Sequence, residues 1–160
     1  MKCPQCEAKA TQVFISFRSR DETLAKGLQD HLAGNGIKSF LGAVSLPYIG
    51  ESGYAKAIDK ALESARWLVV MGTSPESFDS SWVGYEWRSF LNEIHSGRKA
   101  GGQLFTFVSG VMPDQLPFAL RSQQMIPFST FSPQDGFESL AAYLRQALAR
   151  LNGPAVHLAQ

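Results

Sequence analysis

Short apolar runs alternate with amphipathic stretches along the chain, and this alternation predicts an α/β fold. Five runs rich in β-branched, aromatic and other apolar residues are candidate strands, at residues 13–17, 37–41, 67–71, 104–108 and 125–128. The run at 67–71 is the most apolar, so we expect it at the centre of the sheet. Strands that alternate with helices pair in parallel through right-handed crossovers. The pattern therefore predicts a five-stranded parallel sheet with helices on both faces.

Apolar residues between these runs recur at helical spacing. Leu24, Leu28 and Leu32 form the first stripe, for which Asp21 or Thr23 is a candidate N-cap. Later stripes predict helices over about 54–65, from about Ser81 to 95, and from Pro133 to 152, with a further helical segment opening at 74–76. The Gly-, Pro- and Ser-rich residues 42–53 and the proline-containing residues 110–124 are predicted loops.

Composition narrows the class of protein. The chain has 160 residues, of which 44% are apolar, so it is long and apolar enough for one domain with a sizeable core. The formal net charge is +1 without a run of Lys or Arg, which disfavours nucleic acid as a partner. No stretch approaches the length of a membrane span and no signal core opens the chain, so we expect a cytoplasmic protein. The expected domain covers residues 12–152, between tails at 1–11 and 153–160.

The N-terminal tail holds both cysteines, Cys3 and Cys6. Their CxxC spacing is half of a zinc-ribbon signature, but no second CxxC follows, so no metal site is expected within one chain. The alternatives are a flexible tail, a zinc ion shared between two chains, and redox chemistry.

Several catalytic motifs are absent from the sequence. It contains no GxxxxGK[ST], GxGxxG, GxSxG or HExxH. Parallel sheets nevertheless bind ligands outside the carboxyl ends of their strands, here near Phe17, Gly42, residues 72–74 and Ser109.

Four segments, in order, resemble the TIR (Toll/interleukin-1 receptor) domain, most of all the bacterial NAD-cleaving type. They are VFISFRSRD at 13–21, GIKSFL at 36–41 followed by GES at 50–52, AIDKALESAR at 57–66, and SSWVGYEW at 80–87. The resemblance covers about residues 12–150. It implies a flavodoxin-like fold and one of two functions. Some TIR domains are adaptors that assemble with other TIR domains, whereas others cleave NAD at the nicotinamide–ribose bond.

The resemblance implies that Glu86 is the catalytic residue of such an enzyme. On a helix, Glu86 shares a face with Trp82 and Phe90, so its carboxylate borders aromatic side chains. The alternative is a solvated glutamate paired with Arg88 or Arg98.

Further candidates surround the expected end of the first strand. Phe17 would stack on the nicotinamide ring and Arg18 would pair with the pyrophosphate, Arg20 being a weaker choice. The alternative is a core Phe17 and a solvated Arg18. Ser16 and Ser74, at strand ends, are further candidates for substrate contacts.

Aromatic side chains are candidates for the remaining walls of the pocket. Trp82 would supply an aromatic floor, and Tyr48 or Tyr54, around the 42–53 loop, would cover a base of the substrate. The alternative is a purely connective loop. Two departures from the family stand out: Gly42 replaces an acidic residue that follows the second strand in many TIR enzymes, and Val83 replaces a common cysteine. The first is expected to weaken contacts to the ribose.

The expected function is NAD cleavage to nicotinamide and ADP-ribose or a cyclic isomer, in bacterial antiphage defence. NAD is then a substrate, and no cofactor is expected. Expected partners are NAD, other TIR domains through contacts that include the loop after the second strand (the BB loop of the family), and a separate sensor or effector protein. The alternative function is a non-catalytic interaction module, either an adaptor or a decoy.

Overall fold

A computed structural model describes residues 12–42 and 52–152, with side chains described for 12–42 and 57–150. The Cys3–Cys6 tail, Tyr48, most of the predicted 42–53 loop and the C-terminal tail lie outside the described residues. In the described ranges, no helix is both long and apolar enough to cross a membrane.

The core of the fold is one five-stranded sheet in which every pairing is parallel. Its strands are β1 (Val13–Ser16), β2 (Ser39–Leu41), β3 (Trp67–Gly72), β4 (Gln103–Val108) and β5 (Gln124–Pro127). The spatial order β2-β1-β3-β4-β5 is that of flavodoxin-like folds. The predicted fold class is confirmed, and β3, the most apolar strand, is central.

In the part of the chain that the structure describes, four α-helices cover the sheet: α1 (Glu22–Gly34), α2 (Ser52–Ser64), α3 (Ser81–His95) and α4 (Pro133–Asn152). Two apolar clusters form the core. One joins α1 and α4 to β1 residues Val13 and Ile15, and the other joins α2 and α3 to Phe14. Because successive strand residues point to opposite faces, Ser16 follows Phe14 toward α3, whereas Phe17 follows Ile15 toward α1.

The connection from β4 to β5 departs from strict strand–helix alternation. It holds two short 3₁₀ turns, Pro113–Gln115 and Phe118–Leu120, and no α-helix. Pro113 and Pro117 lack amide hydrogens for an α-helical ladder. The predicted loop at 110–124 fits this segment, so strict alternation of strand and helix, as the overall pattern suggested, is wrong between β4 and β5.

The chain order reverses at β1 and β3, which are neighbours in the sheet although β2 lies between them in sequence. In open parallel sheets, the carboxyl ends of strands at such a switch border a crevice that binds ligands. Ser16 ends β1 and Gly72 ends β3, so the segments that follow them, together with the start of α3, form the edges of this crevice.

Candidate functional site

Glu86 lies beside the end of β1 on the buried face of α3. The helix begins at Ser81, and Ser80 caps it, its hydroxyl accepting a hydrogen bond from the Val83 amide at 3.3 Å. From β1, the Ser16 hydroxyl donates a hydrogen bond of 2.5 Å to Glu86 Oε1. Both side chains are 0% exposed. The structure thus joins the candidate catalytic residue to one of the candidate substrate residues.

Burial controls the charge of this carboxyl group. Loss of hydration raises the pKa of Glu86 to about 8, while the Ser16 hydroxyl and the Trp82 indole lower it by smaller amounts. The Oε2 atom is buried without a hydrogen-bond partner. In this conformation, Glu86 is therefore mostly protonated at neutral pH. The alternative of a solvated pair is wrong, because Arg98 pairs with Glu93 at 2.7 Å and Arg88 lies 3.9 Å from Asp79.

Gly42, directly after β2, packs against the carboxyl group. A Cβ built on Gly42 would lie 2.6 Å from Glu86 Oε2 and 2.8 Å from a ring carbon of Phe14. Any side chain at position 42, an acidic one included, would therefore displace the Glu86 carboxyl group or the Phe14 ring. Gly42 stands where many TIR enzymes are expected to have an acidic residue. The structure gives this difference a steric reason, because the glycine makes room for Glu86.

Trp82 lies half-buried in the first turn of α3. Its ring stacks on Tyr85 with centroids 5.9 Å apart, and the Tyr85 hydroxyl donates to Asp59 at 3.5 Å. The indole Nε1 is buried and makes no hydrogen bond of standard geometry, although it lies close enough to Glu86 to influence its pKa. Neither the Trp82 indole nor Glu86 Oε2 therefore has a hydrogen bond of standard geometry, although the two residues lie close together.

Phe17 lies on the other side of the sheet. It is 0% exposed and belongs to the apolar cluster that includes Ala25, Leu28 and Phe137. No ring face is free to stack on a ligand in this position. Phe17 is therefore a core side chain, which was the alternative interpretation of the sequence. The expected stacking of Phe17 on the nicotinamide ring is not supported.

Arg18 is half-buried and lines a cleft of about 550 Å³ beside the crevice. The other lining residues come from the segments after β3 and β4: Pro75, Glu76, Asp79, Ser80, Asp114, Gln115, Leu116, Pro117 and Arg121. Glu86 does not line this cleft. Arg18 is only two residues beyond Ser16, which places their Cα atoms within about 7 Å of each other. The segment 16–18 thus contacts the buried carboxyl group through Ser16 and the cleft through Arg18.

Ser74 belongs to a hydroxyl network around Asp21 that the sequence did not indicate. The buried Asp21 carboxylate accepts hydrogen bonds from Thr73 at 2.8 Å and Ser77 at 3.5 Å, and the Ser77 and Ser74 hydroxyls are 3.3 Å apart. Asp21 occupies the N-cap position of α1 but makes no side-chain cap, so the predicted capping role is wrong. These partners are more than 50 residues from Asp21, beyond any local sequence signal.

Two aromatic candidates cannot be placed. Tyr48 lies outside the described residues, and only the backbone of Tyr54, within α2, is described. Within the described ranges, no group of three or more His, Cys, Asp or Glu residues is arranged to hold a metal ion.

Comparison with known proteins identifies the family. A solved structure of a metazoan TIR-STING receptor from C. gigas in complex with 2′,3′-cGAMP superimposes with a TM-score of 0.58 at 18% identity, a likeness of fold alone. The match covers 88% of this chain and 41% of that chain, so this chain spans less than half of the receptor's length. No curated protein matches. The family model of the TIR domain matches residues 13–141, and the chain therefore belongs to the TIR domain family.

Proposed function

We propose that this TIR domain cleaves NAD at the nicotinamide–ribose bond and that Glu86 is the catalytic residue. When this bond breaks, its electron pair goes to the nicotinamide nitrogen, so a neutral leaving group departs without an acid catalyst. Positive charge then develops on the ribose, and one carboxylate can stabilise it. Attack by water gives ADP-ribose and a proton, whereas attack by an adenine nitrogen gives a cyclic isomer. NAD is the substrate, and no cofactor is needed.

The observation that carries this proposal is the buried Glu86 carboxyl group with one oxygen unpartnered. Burial of a polar atom without a hydrogen bond costs stability. An apolar residue on this face of α3 would pack without that cost. A strongly shifted carboxyl group beside a ligand-binding crevice is a feature of catalytic sites.

Catalysis requires the ionised form of Glu86. The nicotinamide of NAD is a pyridinium cation, and an opposite charge within about 4–6 Å favours a carboxylate. Substrate binding would therefore lower the pKa of Glu86 where the charge is needed. In the structure Oε2 packs against Gly42 and is buried, so the carboxyl group would have to turn away from Gly42 to meet the ribose, while Ser16 holds Oε1.

The neighbouring residues suit the other parts of the substrate. Arg18 would bind the pyrophosphate, because its planar guanidinium matches phosphate oxygens. The cleft of about 550 Å³ is of the size that small-molecule ligands occupy. Trp82 would flank the nicotinamide, with Ser74, Tyr48 and Tyr54 as further candidates. Phe17 has no part in this arrangement.

The biological setting is part of the same proposal. TIR domains self-associate, which supports TIR–TIR contacts as the means of assembly. A separate sensor or effector protein would supply the trigger for antiphage defence in the cytoplasm.

The decisive experiment measures nicotinamide release from NAD by the purified chain and by Glu86→Gln. Loss of one preorganised charge contact to a transition state typically lowers the rate by about 10²–10³. The matched control is Glu93→Gln, the same substitution on the same helix at a surface glutamate that pairs with Arg98. We expect Glu93→Gln to retain wild-type turnover. If Glu86→Gln cleaves NAD as fast as the control, Glu86 is not the catalytic residue.

A second candidate function is a non-catalytic interaction module. The observation that favours it is that Glu86 is fully buried and does not line the cleft. An adaptor would bind another TIR domain and release no nicotinamide at any pH or protein concentration. Wild-type protein that forms TIR–TIR complexes but releases no more nicotinamide than Glu86→Gln would establish this function instead.

A further inference from the structure

Contacts with β1 hold the main chain that leads into Gly42. The Gly42 amide donates a hydrogen bond of 3.0 Å to the Ile15 carbonyl, which continues the ladder between β2 and β1. Two residues earlier, Phe40 stacks on Phe14 with ring centroids 5.6 Å apart. Phe14 in turn lies against the position that a Cβ of residue 42 would take. The main chain at Gly42 therefore cannot shift without breaking one of these contacts.

The other described residues around Glu86 are uncharged. From β1 come Ser16 and Phe14, from the end of β2 comes Gly42, and from α3 itself comes Trp82. Among the described residues, no charged side chain shifts the pKa of Glu86. On α2, Asp59 is bonded by Tyr85 instead. Within the described ranges, steric fit, the Ser16 hydroxyl and the nearby Trp82 indole thus determine where the carboxyl group lies.

We propose that Gly42 is a positioning residue that keeps the Glu86 carboxyl group buried, because only a residue without a Cβ leaves room for Oε2 at this place. Any side chain at position 42 would displace the carboxyl group toward water. Position 42 would then determine the pH range in which Glu86 ionises. The expected effect on NAD cleavage rests on the proposed function. The role of Gly42 in keeping the carboxyl group buried does not.

The test is Gly42→Ala, with Gly34→Ala as the matched control. A Cβ on Gly34 would meet nothing within 4 Å, so this substitution adds the same methyl group without a clash. Titration of Glu86 is followed by NMR of ¹³C-labelled glutamate carboxyl groups, with Glu86→Gln identifying the signal. We expect Gly42→Ala to lower the midpoint by about one pH unit or more, since rehydration favours the charged form. Gly34→Ala should leave it unchanged.

Turnover provides an independent measurement. A carboxyl group with a pKa of about 8 is roughly tenfold less ionised at pH 7 than at pH 9. At NAD concentrations well below KM, where the rate reflects ionisation of the free enzyme, the ratio of nicotinamide release at pH 9 to that at pH 7 should therefore be about tenfold for the wild type and about twofold or less for Gly42→Ala. If no variant cleaves NAD, the proposed function fails, and the titration still decides the role of Gly42.

An unchanged midpoint in folded Gly42→Ala would overturn the inference. If Gly42→Ala does not fold, the double variant Gly42→Ala, Glu86→Ala decides. Restored folding would show that the glycine is needed because of the carboxyl group. Failure to fold even without the carboxyl group would show that the glycine is needed because of Phe14 and not because of Glu86. That result would also overturn the inference.

Discussion

Glu86 couples protonation to folding at the scale of a single residue. Its pKa is about 8 in the folded chain and 4.5 when solvated, so the folded state retains a proton that the unfolded state releases. The stability from this protonated, buried group is fully present below pH 4.5 and is lost as the pH rises to about 8. We expect the free energy of unfolding to fall in this window by up to about 1.4 kcal/mol per pH unit relative to Glu86→Gln.

Urea denaturation of the wild type and of Glu86→Gln between pH 5 and pH 9 measures this difference. Other titrating groups are common to both proteins and cancel in the comparison. Parallel stability profiles for the two proteins would show that Glu86 is hydrated and titrates normally in the folded state.

The surroundings of a residue could be predicted where they depend on neighbours in the same helix or strand. The i±4 relation to Trp82 and Phe90 correctly indicated that Glu86 lies at the apolar face of its helix. Its bond to Ser16 crosses 70 residues and depends on which strand lies beside α3, which no local pattern encodes. Strand alternation carries a further signal. Ser16 and Phe17 are consecutive in an extended segment, so strand alternation prevents both from facing one pocket.

At the scale of elements, α3 carries the site and is anchored by Trp87. The Trp87 indole donates a 2.9 Å hydrogen bond to the carbonyl of Phe78, which ends the 3₁₀ turn Pro75–Phe78. Trp87→Phe leaves this buried carbonyl without its donor, at a cost of about 1–3 kcal/mol in the free energy of unfolding. Trp82→Phe is the comparison on the same helix, because the Trp82 indole lies near Glu86 but makes no hydrogen bond of standard geometry.

Thermal unfolding of the two tryptophan variants tests this anchoring. We expect the Tm of Trp87→Phe to fall further than that of Trp82→Phe. Equal losses would mean that ring size, and not the bond to Phe78, sets the stability of this contact.

Most of the elements could be predicted because strong hydrophobic periodicity marks them. The five strands lie within two residues of their predicted ends, and α3 begins and ends where Ser81 and residues 95–97 indicated. The β4–β5 connection lacks such periodicity and contains prolines, so its 3₁₀ turns, one of which starts at Pro113, carried no helical signal. The cleft that these turns border was not predictable from the sequence, since it forms only when the ends of three strands meet.

At the scale of the whole molecule, the net charge of +1 opposes self-association only weakly. If assembly completes the site, turnover per chain should rise with protein concentration. We expect nicotinamide release per chain to increase over a hundredfold concentration range in step with light scattering. Constant turnover by a protein that remains monomeric throughout would show that a single chain is sufficient for activity.

Because β2 lies at the edge of the sheet, the strand end beside Glu86 should open more often than the centre of the sheet. β3 is bonded on both sides, whereas β2 has three residues and one neighbouring strand. Short edge elements open locally far more often than central strands. The Gly42 amide should therefore exchange its hydrogen for deuterium well before that of Val69, and equal exchange rates would contradict this. Each such opening would briefly expose Glu86 while the rest of the sheet stays folded, so the frequency of edge fraying would limit how often the carboxyl group meets solvent.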